Sequence, residues 1–308
     1  MNNTSVLKAI ANTDQPEVQT GPLEVYLVIL VLTLSLHLLV QFCIHKARLH
    51  NNNYYLIRAL SLADSSCVIF SIFYCVLGIM KVELVFRGLK IIISALMLGS
   101  FTTSLLITIM IVSDRWIAME YALRYHSIVT KQRIARLILV SSLISVTIHI
   151  VLLLPPTTGF RNNQNFLVNP YVMIFSGVTR LLTCVLILIL VTLTIRIRNR
   201  NEANIQNIVN FHGTEAERLD TIQRLTRSIK DVLKLNIWTC VFLVPLSTVS
   251  ILRAFQPFQT LEFGLFIALS NLLYLISNPI VYLTCFTQIR QYWYRALFVR
   301  NTIDVEAN

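Results

Sequence analysis

A few polar side chains stand out because of their apolar surroundings. Asp64 ends the segment Leu-Ser-Leu-Ala-Asp inside a long apolar run, Asp114 and Arg115 precede Trp116 at the end of another, and Asn278-Pro279 leads to Tyr282 in a third. Arg180 lies inside a fourth. A charge in hydrocarbon costs about 3 kcal/mol or more unless it is paired or hydrated, so residues of this kind mark sites rather than packing. The chemistry open to them is ion pairing, ion coordination and the exchange of hydrogen-bond partners. No nucleophile, base and orienter assemble, and no metal-ligand spacing occurs, so the chain is expected not to be an enzyme and to need no organic cofactor. Pro245 and Pro279 each remove a backbone hydrogen bond within an apolar run, which kinks a helix where motion can hinge. Asn278 and Tyr282, four apart, share one helix face.

The elements that must position these groups are membrane-spanning helices. Of the 308 residues, 55% are hydrophobic and 13% charged, more apolar surface than one soluble core can hide. The apolar residues collect in seven runs: Leu23 to Ile44, Tyr55 to Met80, Ile91 to Val112, Leu137 to Leu154, Val172 to Ile195, Leu235 to Leu252 and Leu261 to Phe286. Each has the length a helix needs to cross a hydrocarbon layer of roughly 30 Å. The fold class expected is therefore an all-α membrane protein, a seven-helix bundle over 23–286. A tail, 1–22, precedes it. An amphipathic surface helix over 287–300, with Ile289, Trp293 and Leu297 four apart, and a tail, 301–308, follow it. The first run is too long, and lacks the basic leading region, for a signal peptide, and counts as a span.

The net charge of +11 is unevenly placed. Nineteen of the 26 Lys and Arg fall in the loops after spans one, three and five and after span seven, against 7 elsewhere. That bias sets the N-terminus outside and the C-terminus in the cytoplasm, and it describes a partner of membrane lipids, not of nucleic acid. Asn2 and Asn3 head overlapping glycosylation sequons on the outer side. All six cysteines, Cys43, Cys67, Cys75, Cys184, Cys240 and Cys285, fall within spans, where a thiol is ordinary packing material. The longest loop, from Arg196 to Asp231, is expected to extend spans five and six as helices around a turn at Asn210 to Gly213.

An Asp in span two, Asp114-Arg115-Trp116 after span three, Pro245 in span six and Asn278-Pro279-x-x-Tyr282 in span seven together resemble the signature of rhodopsin-like G-protein-coupled receptors. The likeness extends over about Leu23 to Val299. Tyr121 to Thr130, including Tyr125, resembles the second cytoplasmic loop of melanocortin receptors. The resemblance implies a receptor at the plasma membrane that passes an extracellular chemical signal to a heterotrimeric G protein. Span six would swing outward, Arg115 would line the cavity so opened, and Tyr282 would move in beside it. The other reading of Arg115 alone is a snorkelling surface arginine. The other reading of the whole chain is a seven-helix transporter or channel, which requires a continuous polar file through the bundle. Asp64, Ser104 and Asn278 match positions that in the family form a buried polar pocket able to hold a sodium ion, a cation suited to an acid with neutral oxygen neighbours. His37 replaces the asparagine that the family has in span one. It either pairs with Asp64, making the switch proton-sensitive, or sits neutral against backbone or water.

The outer half departs from the family. Lys90 replaces the cysteine at the start of span three, Leu243 the tryptophan two before Pro245, and Leu225 the acid at the base of span six. Span five lacks the usual tyrosine. Met97 stands where amine receptors have an aspartate, Tyr74, Lys90 and Ser94 replace the acids of melanocortin receptors, and span seven has no lysine for a retinal Schiff base. The ligand stays open among small molecules, lipids and peptides. Lys90, Met97, Arg180 and Arg253 are its candidate contacts. Arg180 either faces the bundle, where it could grip a carboxylate or phosphate, or snorkels to the outer interface.

Overall fold

A computed structural model of the chain describes residues 21–46, 52–80, 87–121, 124–154, 170–209, 215–255 and 261–294. Seven long helices account for nearly all of them: α1 (Gly21–Lys46), α2 (Asn52–Ile79), α3 (Arg87–Glu120), α4 (Lys131–Leu153), α5 (Pro170–Val209), α6 (Glu215–Phe255) and α7 (Leu261–Cys285). A single turn, Tyr125–Ile128, joins α3 to α4, and α8 (Thr287–Tyr294) follows α7. Among the described residues, six of the helices are long and apolar enough to cross a membrane, and α7, 25 residues long, coincides with the seventh apolar run. Only helices with every backbone bond made internally, or closed barrels, can do so. The α5 and α6 helices continue well past their apolar runs into the segment that connects them. The turn expected at Asn210 to Gly213 lies outside the described residues, as do Asn2 and Asn3.

The bundle is greasy on its outer surface, and its largely apolar interior also holds polar side chains, unlike a soluble core. Leu137, Leu143 and Val151 of α4 and Leu182, Leu186 and Ile189 of α5 are exposed, while Thr33, His37, Ser61, Asp64, Ser104 and Asn278 are buried. Sequential neighbours pack together, α1 also meets α2 and α7, and α3 touches α2, α4, α5 and α6. Of the most apolar window of α3, 56% is buried, against 17% for α4, so α3 is the axis and α4 a peripheral stave. Close approach rests on small residues. A Cβ on Gly99 would meet the Val146 Cα at 2.9 Å, and one on Gly177 would meet the Ser247 carbonyl at 3.1 Å. Hydroxyls in the spans bond back to their own helix, as Thr108 does to the Ser104 carbonyl at 3.0 Å and Ser71 to that of Cys67 at 2.8 Å, which keeps them satisfied without water.

The base of the bundle is pinned. Ile289 of α8 is fully buried in a cluster with Cys43, Ile44, Leu56, Tyr282 and Phe286, which docks α8 under α1 and α7. Thr130 caps α4 by accepting from the Arg133 amide at 3.4 Å, and the Arg133 guanidinium donates to the Ser127 and Ile128 carbonyls at 3.0 and 2.9 Å. These bonds hold the turn that carries Tyr125.

Candidate functional site: a polar core and a latch at the end of α3

Three groups of buried polar side chains lie along the bundle. At its centre, Asp64 is fully buried. Ser104 donates to its Oδ1 at 2.5 Å and the Asn278 Nδ2 donates to its Oδ2 at 2.9 Å, so the acid ties α2 to α3 and α7. Among the described residues no basic group lies within ion-pair reach of it. The hydroxyl of Tyr274, also fully buried, has no hydrogen-bond partner and lies within electrostatic reach of Asp64.

His37 does not pair with Asp64. Its Nε2 lies 3.1 Å from the Leu275 carbonyl and its Nδ1 3.3 Å from the Ser61 hydroxyl. The reason is Pro279. A proline has no N–H, so the carbonyl four residues before it, that of Leu275, loses its helical donor. A carbonyl only accepts, which puts the ring proton on Nε2 and leaves Nδ1 to accept from Ser61. His37 thus repairs the kink in α7 from α1.

At the end of α3, Asp114 is buried, receives the Tyr125 hydroxyl at 2.6 Å and pairs with Arg115 at 3.6 Å. Arg115 is 20% exposed. With Val191, Thr194 and Asn236 it lines a cavity of about 20 Å³ between α3, α5 and α6, room for roughly one water. The space between α3, α5 and α6 beside Arg115 is therefore small. Asn236 is buried there with neither amide atom hydrogen-bonded, and the Tyr282 hydroxyl is buried without a partner among Leu56, Ile57, Ile107 and Phe286. Trp116 turns away from this cavity, packing on Met119 and Ile197 and edge-on to Tyr121. Arg200 of α5 meets Glu120 of α3 at 3.0 Å, an exposed pair of small energetic weight.

In the outer half, Arg180 faces the bundle and is only 3% exposed. Its guanidinium donates to the Ser250 hydroxyl at 2.9 Å and the Asn271 Oδ1 at 3.4 Å, and lies 4.8 Å from the centre of the Phe101 ring. Lys90 lies over the Tyr74 ring at 5.4 Å and Met97 is half-buried beside the cluster that contains Phe101 and Tyr274. The side chain of Arg253 lies outside the described residues. Pro245 faces the lipid side of α6, whereas Pro279 is buried.

The sequence reading missed Ser61, Asn236, Ser250, Asn271 and Tyr274. One signal for the buried face was present in α5: Met173, Gly177, Arg180, Cys184 and Ile187, buried throughout, recur at spacings of three and four between lipid-facing Val, Leu and Ile. Tyr274 lies one turn before Asn278, on the same face.

No curated protein sequence matches the chain. A family profile does: that of the 7 transmembrane receptor (rhodopsin family), over residues 35–282, which takes in the polar core, Asp114-Arg115 and the Asn278 to Tyr282 segment. With this match over most of its length, on a bundle of this shape, the chain belongs to the rhodopsin family of seven-transmembrane receptors.

Proposed function

We propose that the chain is a plasma-membrane receptor, with the N-terminus outside, that passes the binding of an extracellular ligand to a heterotrimeric G protein. The observation that supports this reading is the tight packing beside Arg115 with its stranded polar groups, at the end of the bundle read as cytoplasmic. A buried donor or acceptor without a partner costs about 1–3 kcal/mol, and the Asn236 amide at the Arg115 cavity and the Tyr282 hydroxyl in its apolar cluster both carry that cost. An outward movement of α6 hydrates Asn236 and lets Tyr282 leave its apolar seat. The same movement uncovers Arg115 for a helix of the G protein. The closed state is held by Tyr125 on Asp114 and by apolar packing, since Leu225 offers no acid to α6. A ligand drives the change only by binding the open state better.

The central carboxylate fits a small hard cation. Asp64, the Ser104 hydroxyl and the unpartnered Tyr274 hydroxyl are oxygen donors, with no soft ligand among them. These three residues would hold a sodium ion, which would supply the positive charge that no basic side chain provides. A transporter or channel requires a continuous polar file through the bundle, whereas the family match is to receptors. Guanine-nucleotide exchange by purified G protein on the reconstituted chain tests the proposal, with Arg115→Ala as the control that removes it.

A further inference from the structure

The buried guanidinium of Arg180 has no counter-ion among the described residues: no carboxylate comes within ion-pair reach of it. Its contacts are neutral: a serine hydroxyl, an amide oxygen at the long distance of 3.4 Å, and the face of Phe101. Its Nε is buried with no hydrogen-bond partner. From α4, His149 lies within electrostatic reach, its Nδ1 bonded to the Ser145 carbonyl at 2.7 Å and its Nε2 buried without a partner, so it brings no negative charge either. The Phe101 ring beside it belongs to an apolar cluster with Met97, Leu243 and Leu246, and the nearby Cys67 thiol and Tyr274 hydroxyl are neutral groups. A buried cation with incomplete hydrogen bonding is costly, and a guanidinium has five donors arranged in a fork that matches a planar or tetrahedral anion.

We propose that Arg180 is the recognition point for the ligand, and that the ligand carries a carboxylate or phosphate on an apolar body. The anion takes the donors now spent on Ser250 and Asn271 and the one on Nε that is unspent. The apolar body lies against Phe101 and its neighbours. Ser250 stands in α6, five residues beyond Pro245, and Asn271 in α7, so Arg180 ties α5 to both helices. An anion that captures Arg180 releases them. This assignment rests on the receptor reading only for its consequence, because binding itself is measurable without a G protein.

The test is thermal unfolding of the purified full chain in nanodiscs of phosphatidylcholine, with decanoate and decyl phosphate as probes and decanol as the uncharged control. The expected result is a concentration-dependent rise in melting temperature with at least one of the two anions and none with decanol. Arg180→Met should weaken that probe by roughly a hundredfold or more, Arg180→Lys less, and Ser250→Ala should leave it intact or improve it. Without a probe, Arg180→Met should melt no lower than the parent chain, because an unpaired buried charge is gone. A probe-free rise in nanodiscs containing phosphatidic acid, absent in Arg180→Met, supports the same site with a lipid headgroup as the anion. A shift that decanol shares, a shift that survives Arg180→Met, or no shift with any anion overturns the proposal. So does a markedly lower melting temperature of both Arg180→Met and Arg180→Lys without a probe, which makes Arg180 a structural strut.

Discussion

The contact between His37 and the Leu275 carbonyl admits a test in which one substitution cancels the effect of another. His37→Leu fills nearly the same volume but donates nothing, so it strands a buried carbonyl that Pro279 has already deprived of its helical donor. The cost of a stranded acceptor is about 1–3 kcal/mol. Ser61 is not stranded, because its hydroxyl also reaches the His37 backbone carbonyl at 3.4 Å. Pro279→Ala returns an N–H to the helix, which can reclaim the Leu275 carbonyl and make the histidine redundant. In that background His37→Leu should cost less than about 0.5 kcal/mol, leaving a coupling energy of about 1–2.5 kcal/mol between residues of α1 and α7. The assay is reversible denaturation of the four purified proteins in bicelles, followed by far-ultraviolet circular dichroism. Equal costs of His37→Leu in both backgrounds would refute the reasoning, since the histidine would then contribute through packing alone.

Other expectations follow from single contacts. With neither ring nitrogen of His37 on an acid, replacing it by Asn should leave the pH profile of signalling unchanged, and a displaced profile would restore the pairing with Asp64. Tyr125→Phe removes a 2.6 Å bond to the Asp114 carboxylate, worth about 1.5–3 kcal/mol to the closed end, and should raise basal nucleotide exchange; an unchanged basal rate contradicts the latch. Asn236→Leu exchanges an unbonded amide for an apolar group of similar size and should lower basal exchange while raising thermal stability, an outcome reversed if the amide is bonded in the closed state. Sodium at ten times its dissociation constant should stabilise the parent chain by about 1.4 kcal/mol over choline in a thermal melt, with no such difference in Asp64→Asn. Gly99→Val drives side-chain atoms into the Val146 backbone and should cost about 1–3 kcal/mol by prising α3 from α4, seen as a lower melting temperature.

The seven spans were legible because hydrocarbon imposes a length and a composition that a run of residues either meets or fails. The seven helices coincide with the seven runs and differ from them mainly at the cytoplasmic ends of α3, α5 and α6, where charged turns continue the helix beyond the membrane. The polar core was half legible. Asp64, Ser104 and Asn278 could be grouped by resemblance, and the structure joins them, but Tyr274 reads as one more aromatic in a span until the fold brings it to the acid. His37 shows the limit of local reasoning. The sequence says that Pro279 frees the Leu275 carbonyl, yet which of six other helices supplies the donor depends on how they pack. The direction of Arg180 was illegible for a different reason: snorkelling and bundle-facing arginines sit in similar apolar runs, and only the small residues flanking it at helical spacing distinguish the two.

The proposed function turns on Arg115 at a gate that a G protein would open. The most direct measurement is guanine-nucleotide exchange by a panel of purified heterotrimeric G proteins on the chain in nanodiscs, beside Arg115→Ala and empty nanodiscs. The account predicts that the parent chain accelerates exchange on at least one heterotrimer and that Arg115→Ala falls to the rate of empty nanodiscs at an unchanged melting temperature. Acceleration that persists in Arg115→Ala, or none on any heterotrimer under conditions where Arg180-dependent ligand binding is measurable, would contradict it.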